Sequence, residues 1–213
     1  MSARHHPADA VLADYAAGTL RPGFDIVVAA HLESCERCRR HVRLFEKAAG
    51  AMMSDLQPAE MSADALPQML ARLERNPPAA SADAPTEIAR DTRSLIERLP
   101  VKRRRWLAPG VWVQPIDVPQ LPGDKLYFLR VAAGIRGLHH GHAGPEFTAV
   151  VTGALRDGKT TYRAGDFIEC DTEVVHRPKV LAQDGGCLCI AATEGSLKGQ
   201  GFLGELIRTF AGV

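Results

Sequence analysis

The sequence predicts an α+β chain of two parts: a small bundle of four short helices, then an all-β jelly-roll barrel closed off by a terminal helix. Three observations predict it. Apolar residues recur at helical spacing from residue 7 to residue 75; after a tract rich in Pro, Ala, Ser and Asp the texture changes to short alternating segments between Gly and Asp turns; the last segment, "LGELIRTFAGV", returns to helical spacing. The expected divisions are a helical domain over 1–76, a linker over 77–100 and a β domain over 101–213.

The helical elements follow from their stripes and stops. "PADAVLADYAAG" puts Val11, Leu12 and Tyr15 on one face and stops at Gly18; "GFDIVVAAHLE" and "ERCRRHVRLFEKAAGAMM" follow, the latter with Val42, Phe45 and Ala49 in register. A fourth, "ADALPQMLARLER", starts after Ser62 as N-cap and carries Leu66, Met69, Leu70 and Leu73 as its stripe, with Pro67 early enough to be tolerated. "NPPAASADAPTEIARDT" has no periodicity and too little apolar surface to fold alone, the composition of a solvated linker.

Beyond Trp106, "VWVQPIDV", "KLYFLRVAA", "EFTAVVTGALRD", "KTTYRAGDFIEC" and "CLCIAATE" read as strands of a sandwich or jelly roll. In the final segment Leu203, Leu206, Ile207 and Phe210 form one helical face that packs across a sheet.

Composition narrows the function. With 213 residues, 46% apolar and 24% charged, the chain is globular, and a formal net charge of +1 offers no broad basic field for nucleic acid. Residues 1–75 carry nine Lys or Arg against ten Asp or Glu. "VKRRRW" at 101–106 reads as junction solubility before nucleic-acid binding. No signal-like or membrane-spanning apolar run occurs, so a cytoplasmic protein with no membrane partner is expected. Its five cysteines, Cys35, Cys38, Cys170, Cys187 and Cys189, then point to metal or redox chemistry rather than a disulfide framework.

Two clusters carry that chemistry. "HLESCERCRRH" holds His31, Cys35, Cys38 and His41 in eleven residues; His31 and Cys35 are four apart on a helical face, and Cys35 with Cys38 forms a C-x-x-C pair at a helix junction. Three ligands are well placed for zinc. The fourth is open: His41 follows Cys38 on the same helix but is directed away from the end of the His31 helix, and His5 and His6 lie near the chain start. The alternative is that the cysteines are small buried hydrophobes and His31 a core residue.

In the β half, His140 and His142 are two apart and share a strand face, Glu146 follows a Gly-Pro turn, and His176 arrives on a later strand. His139 fits no position of this pattern. Three imidazoles and a carboxylate suit zinc, iron, manganese or nickel. The spacing Gly134, five residues, His140, one, His142, three, Glu146, six, Gly153 resembles the first motif of the cupin superfamily at every fixed position. The second motif matches at His176, while Asp171, Glu173 and Val180 stand where Pro, Gly and Asn are usual.

The pattern H-x-x-x-C-x-x-C, after a helix with "YAAGTL" and before a long third helix, resembles the zinc-binding anti-sigma domain family. With a cupin domain following, the whole chain resembles ChrR-type anti-sigma factors. That resemblance implies a zinc held by His31, Cys35, Cys38 and a histidine of "RHHPADA", with His6 the better match by position and His5 its rival. It implies an extracytoplasmic-function sigma factor as partner, released on oxidative stress such as singlet oxygen, and a cupin metal, zinc or alternatively iron, manganese or nickel, at His140, His142, Glu146 and His176. No catalytic residue is expected; the competing reading is a cupin dioxygenase or isomerase with a zinc-binding regulatory domain. Cys187 and Cys189 share a strand face and either pack as core or approach the cupin metal.

Overall fold

A computed structural model describes residues 3–75, 94–118, 124–137, 140–142, 144–172, 177–195 and 197–199, with residues 124, 140–142, 184 and 197–199 described by backbone alone. The expected C-terminal helix and His176 lie outside the described residues.

The first half is helical, in α1 (Asp9–Ala17), α2 (Pro22–Ser34), α3 (Glu36–Ser54) and α4 (Ala65–Arg75). Gly18 ends α1 as expected: at φ +67° its N–H closes on the carbonyls of Asp14 and Tyr15, a cap that a side chain would strain. Pro22 opens α2 at a position where its missing N–H costs nothing. Cys35 breaks α2 from α3 with an extended backbone, φ −110° and ψ 97°, so the two helices meet at an angle over that one residue. The stripe of α3 is covered at Val42 and partly at Phe45, then runs out of cover at Ala49.

A short helix, α5 (Leu95–Arg98), follows within the stretch expected as linker; Leu95, Ile96 and Leu99 pack on the core. The β half comprises β1 (Arg105–Ala108), β2 (Val111–Pro115), β3 (Asp124–Val131), β4 (His140–His142), β5 (Glu146–Thr152), β6 (Ala154–Asp157), β7 (Thr160–Arg163), β8 (Phe167–Cys170), β9 (Lys179–Val180), a 3-10 turn at Ala182–Asp184, β10 (Cys187–Glu194) and β11 (Leu197–Gly199).

The barrel expectation is corrected. Among the described residues the strands form three antiparallel sheets, ordered β1-β2-β3-β10-β5-β8, β7-β6-β9 and β4-β11, and they do not close into a ring. Gly153 is the physical reason for one break. At φ +76° it bends the chain out of β5 into β6, and a Cβ there would lie 1.8 Å from the Gly186 carbonyl oxygen. The chain thereby changes sheets, and the two larger sheets pack face to face around Val150, Leu155, Val180 and Cys189.

The central strands of the six-stranded sheet, β5 and β10, are buried on both faces. Register places Tyr127, Ala191 and Thr148 in one row facing the smaller sheet, and Phe128, Ile190, Ala149 and Phe167 in the next row facing the other way. That outer face carries α2. Val27 and Val28 of α2 are wholly buried, Phe24 meets Phe147 edge to face at 4.8 Å, and Phe147 meets Phe167 at 5.4 Å. One continuous core therefore includes Leu12, Phe24 and Val28 from the helices with Leu126, Phe128 and Ile190 from the strands.

Phe24→Ala removes the ring that locks α2 to the sheet. The expected loss is about 3–5 kcal/mol of unfolding free energy, read from denaturant melts monitored at helix and sheet signals together.

Candidate functional site at the helix–sheet junction

Four side chains converge where α2 ends. His31 occupies the last turn of α2, Cys35 the extended hinge and Cys38 the first turn of α3, while the incoming chain lays His6 over them. Their ligand atoms all lie within 4.8 Å of one another. His6 Nδ1 is 3.3 Å from Cys35 Sγ and 3.4 Å from Cys38 Sγ, and His31 Nε2 is 3.3 Å from Cys38 Sγ. A tetrahedral zinc with ordinary bond lengths requires ligand-to-ligand edges of about 3.4–3.8 Å, so the residues present fit such an ion.

The three histidines left open by the sequence have separate fates. His6 enters the cluster. His5 turns away: its Nδ1 lies 3.1 Å from Asp166 Oδ2 and its ring packs on Tyr162 at 4.6 Å. His41 turns outward, with Nδ1 3.3 Å from Asp9 Oδ1.

Burial sets the protonation. It pulls His31 from 6.5 down to about 4, partly offset by a hydrogen bond to Gly165, so the imidazole is neutral and its lone pair is available. His6 is lowered too, by burial and then by Arg37. Burial and then the neighbouring Cys35 side chain push Cys38 up to about 12, so without a cation Cys38 holds its proton. A divalent metal would displace that proton and supply the charge that stabilises thiolate.

Sequence reasoning missed the sheet's contribution. His31 Nδ1 donates to the Gly165 carbonyl at 2.8 Å, which leaves Nε2 as the nitrogen facing Cys38. The Asp166 carboxylate accepts from the Arg4 and His5 amides at 2.6 and 3.1 Å, and Phe167 N–H donates to the His5 carbonyl. The available signal was an aspartate within the apolar strand run "RAGDFIEC".

The second expected cluster is described only in part. His140 and His142 lie on β4, paired through the backbone with Gly199 and Leu197 of β11. Glu146 begins β5 and points to the inner face of the large sheet, buried beside Thr148, whose hydroxyl donates to it at 3.2 Å, and Tyr127. Burial raises Glu146 from 4.5 to about 7, with Thr148 and Tyr127 opposing. Cys187 and Cys189 are both buried, their sulfurs 3.5 Å apart, packed with Val150 and Val180.

Comparison with known proteins fits these features. A family model described as the ChrR cupin-like domain matches residues 99–196. The anti-sigma-E factor ChrR of Cereibacter sphaeroides is 35% identical over 217 residues, covering 99% of each chain. This chain belongs to the ChrR family of anti-sigma factors. A solved structure of that family, Rhodobacter sphaeroides SigE in complex with the anti-sigma ChrR, is similar with a TM-score of 0.72 and 33% identity, covering 90% of this chain and 100% of that one. Full-length likeness to a ChrR relative covers the helical half and the sheet half in the same order.

Two outcomes follow from the geometry. His6→Ala is expected to lower zinc retention against a chelator by at least about tenfold, whereas His5→Ala retains the ligand set and His41→Ala leaves retention unchanged; a colorimetric zinc-release assay separates them. For Glu146 the folded-state value of about 7 exceeds the unfolded 4.5, so ionisation opposes folding in metal-free protein. Its stability contribution is complete below about pH 4.5 and is lost, by up to about 3 kcal/mol, as pH rises through about 7. Urea melts in chelator are expected to show that loss in the wild-type chain and not in Glu146→Gln.

Proposed function

We propose that this chain is an anti-sigma factor that sequesters an extracytoplasmic-function sigma factor through its helical half and releases it when the cupin half responds to oxidative stress such as singlet oxygen. It acts as a transcription regulator in the cytoplasm rather than as an enzyme. Two features support this reading: the match to a family relative whose solved structure holds SigE, and the regulatory name of a relative aligned end to end. The chain's own geometry adds that, among the described residues, no helix is long and apolar enough to cross a membrane.

One observation carries the assignment of the binding surface. The apolar stripe of α4 is uncovered: Leu66, Met69, Leu70 and Leu73 are 66, 59, 51 and 53% exposed, and no residue of α4 is buried. Met52 and Met53 at the end of α3 are exposed as well. An amphipathic helix whose apolar face meets water is poorly stabilised alone and gains most from a groove on another protein. Flexible methionines suit such a surface.

Within this reading zinc is held by His6, His31, Cys35 and Cys38, and ties the chain start to the α2–α3 junction in a helical part too small for an ample core of its own. The cupin metal, zinc or alternatively iron, manganese or nickel, takes His140, His142, Glu146 and His176. Glu146, buried with its proton affinity raised, is a carboxylate that a cation would readily ionise. The division into a helical part over 1–76, a linker and a cupin part from 101 belongs to the same proposal.

Co-expression with candidate sigma factors tests the proposal. The wild-type chain is expected to co-purify with one, and Met69→Glu with Leu73→Glu to lose it at unchanged melting temperature. His140→Ala, His142→Ala, Glu146→Gln and His176→Ala are expected to keep the sigma factor and fail to release it under singlet oxygen; release unaltered in all four would sink the sensor assignment.

A further inference from the structure

The His/Cys cluster sits at the boundary between the helices and the large sheet, and the sheet side of that boundary is a single turn. The turn joins β7 to β8 through Ala164, Gly165 and Asp166. Asp166 is buried, with 2% of its surface exposed, although an unpaired carboxylate would be costly there. Its oxygens are satisfied from two directions. Oδ2 accepts the Arg163 N–H at 2.8 Å, fixing the turn itself, and lies 3.1 Å from His5 Nδ1; Oδ1 accepts the Arg4 and His5 amides. Gly165, at φ +93°, aims its carbonyl at His31 Nδ1, and a Cβ there would sit 3.3 Å from Ser34 Oγ at the end of α2. Phe167 then packs edge to face on the His31 ring at 5.5 Å.

We propose that the Gly165–Asp166 turn is the positioning element of the metal cluster, so that the sheet half orients both histidine ligands and metal binding is linked to docking of the helices on the sheet. Gly165 sets the tautomer and tilt of His31. Asp166 grips the backbone immediately before His6 and draws His5 aside, which leaves His6 as the histidine that reaches the thiols. Neither residue is among the four side chains that would hold the ion. Such outer partners of metal-bound histidines commonly change metal affinity by about 10–100-fold when removed. Linkage makes the effect reciprocal: a disturbance of the sheet that shifts the turn loosens the cluster, and loss of metal loosens the turn. This inference deepens the reading of His6, His31, Cys35 and Cys38 as a metal site and rests on it.

The test uses full-length protein loaded with cobalt, whose thiolate charge-transfer band reports the cysteine-bearing site, with Cys38→Ser as the control that removes it. Asp166→Ala is expected to lower cobalt and zinc affinity by about tenfold or more and to alter the band, because His6 no longer arrives in a fixed geometry. Asp166→Asn, which keeps an acceptor for the Arg4 and His5 amides, is expected to fall between Asp166→Ala and wild type. Affinity within about twofold of wild type with an unchanged band, in Asp166→Ala or, should that variant not fold, in Asp166→Asn, overturns the proposal. Absence of a Cys38-dependent band in the wild-type chain would instead overturn the metal-site reading, and this inference with it.

Discussion

Burial of α2 against the outer face of the six-stranded sheet is the constraint on which the rest depends. A sheet in a two-layer sandwich ordinarily hides one face and wets the other. Here the outward row of Phe128, Ile190, Ala149 and Phe167 would be wet without the helix, and Phe24, Val27 and Val28 would have no partner without the sheet. Neither surface is small, so each half completes the other's core. The exposed pair of Arg21 and Glu194 at 2.9 Å adds little by comparison.

That packing places the candidate metal cluster. Once Phe24 and Val28 seat α2, its last turn is held over the edge of the sheet, and His31 meets the Gly165 carbonyl there. The same strand edge accepts the chain start through Asp166 and Phe167, which delivers His6. On the opposite face of β5, one residue before Phe147, Glu146 points to the inner face of the sheet, beside Thr148 and Tyr127. A single strand thus carries a residue of the proposed cupin site on one side and a residue of the helix-docking surface on the other. α4, outside this shared core, is left with its apolar face exposed.

Much of this was legible in the sequence, where the signal is local. Gly18 as a stop, the helix break at Cys35 and the stripe of α4 follow from capping, motif spacing and period, and all occur in the structure. The choice among His5, His6 and His41 was not legible in the spacing and came only from the family resemblance, which favoured His6, because His5 and His6 are adjacent and the group that separates them, Asp166, is 161 residues away from His5. The open sheets also escaped notice: alternation identifies strands but not which sheet each joins, and Gly153 changes that assignment with one positive φ. A missed clue lay in the open. "CLCIAATE" is apolar almost throughout instead of alternating, which is the pattern of a strand covered on both faces.

The central claim is that helices and sheet share one core. Native-state hydrogen exchange of the zinc-loaded chain in increasing denaturant tests it most directly, by comparing amides of α2 with amides of β10. The account predicts that the two sets converge on one opening free energy and one denaturant dependence. Opening of α2 at a much lower free energy, with β10 still fully protected, would contradict it.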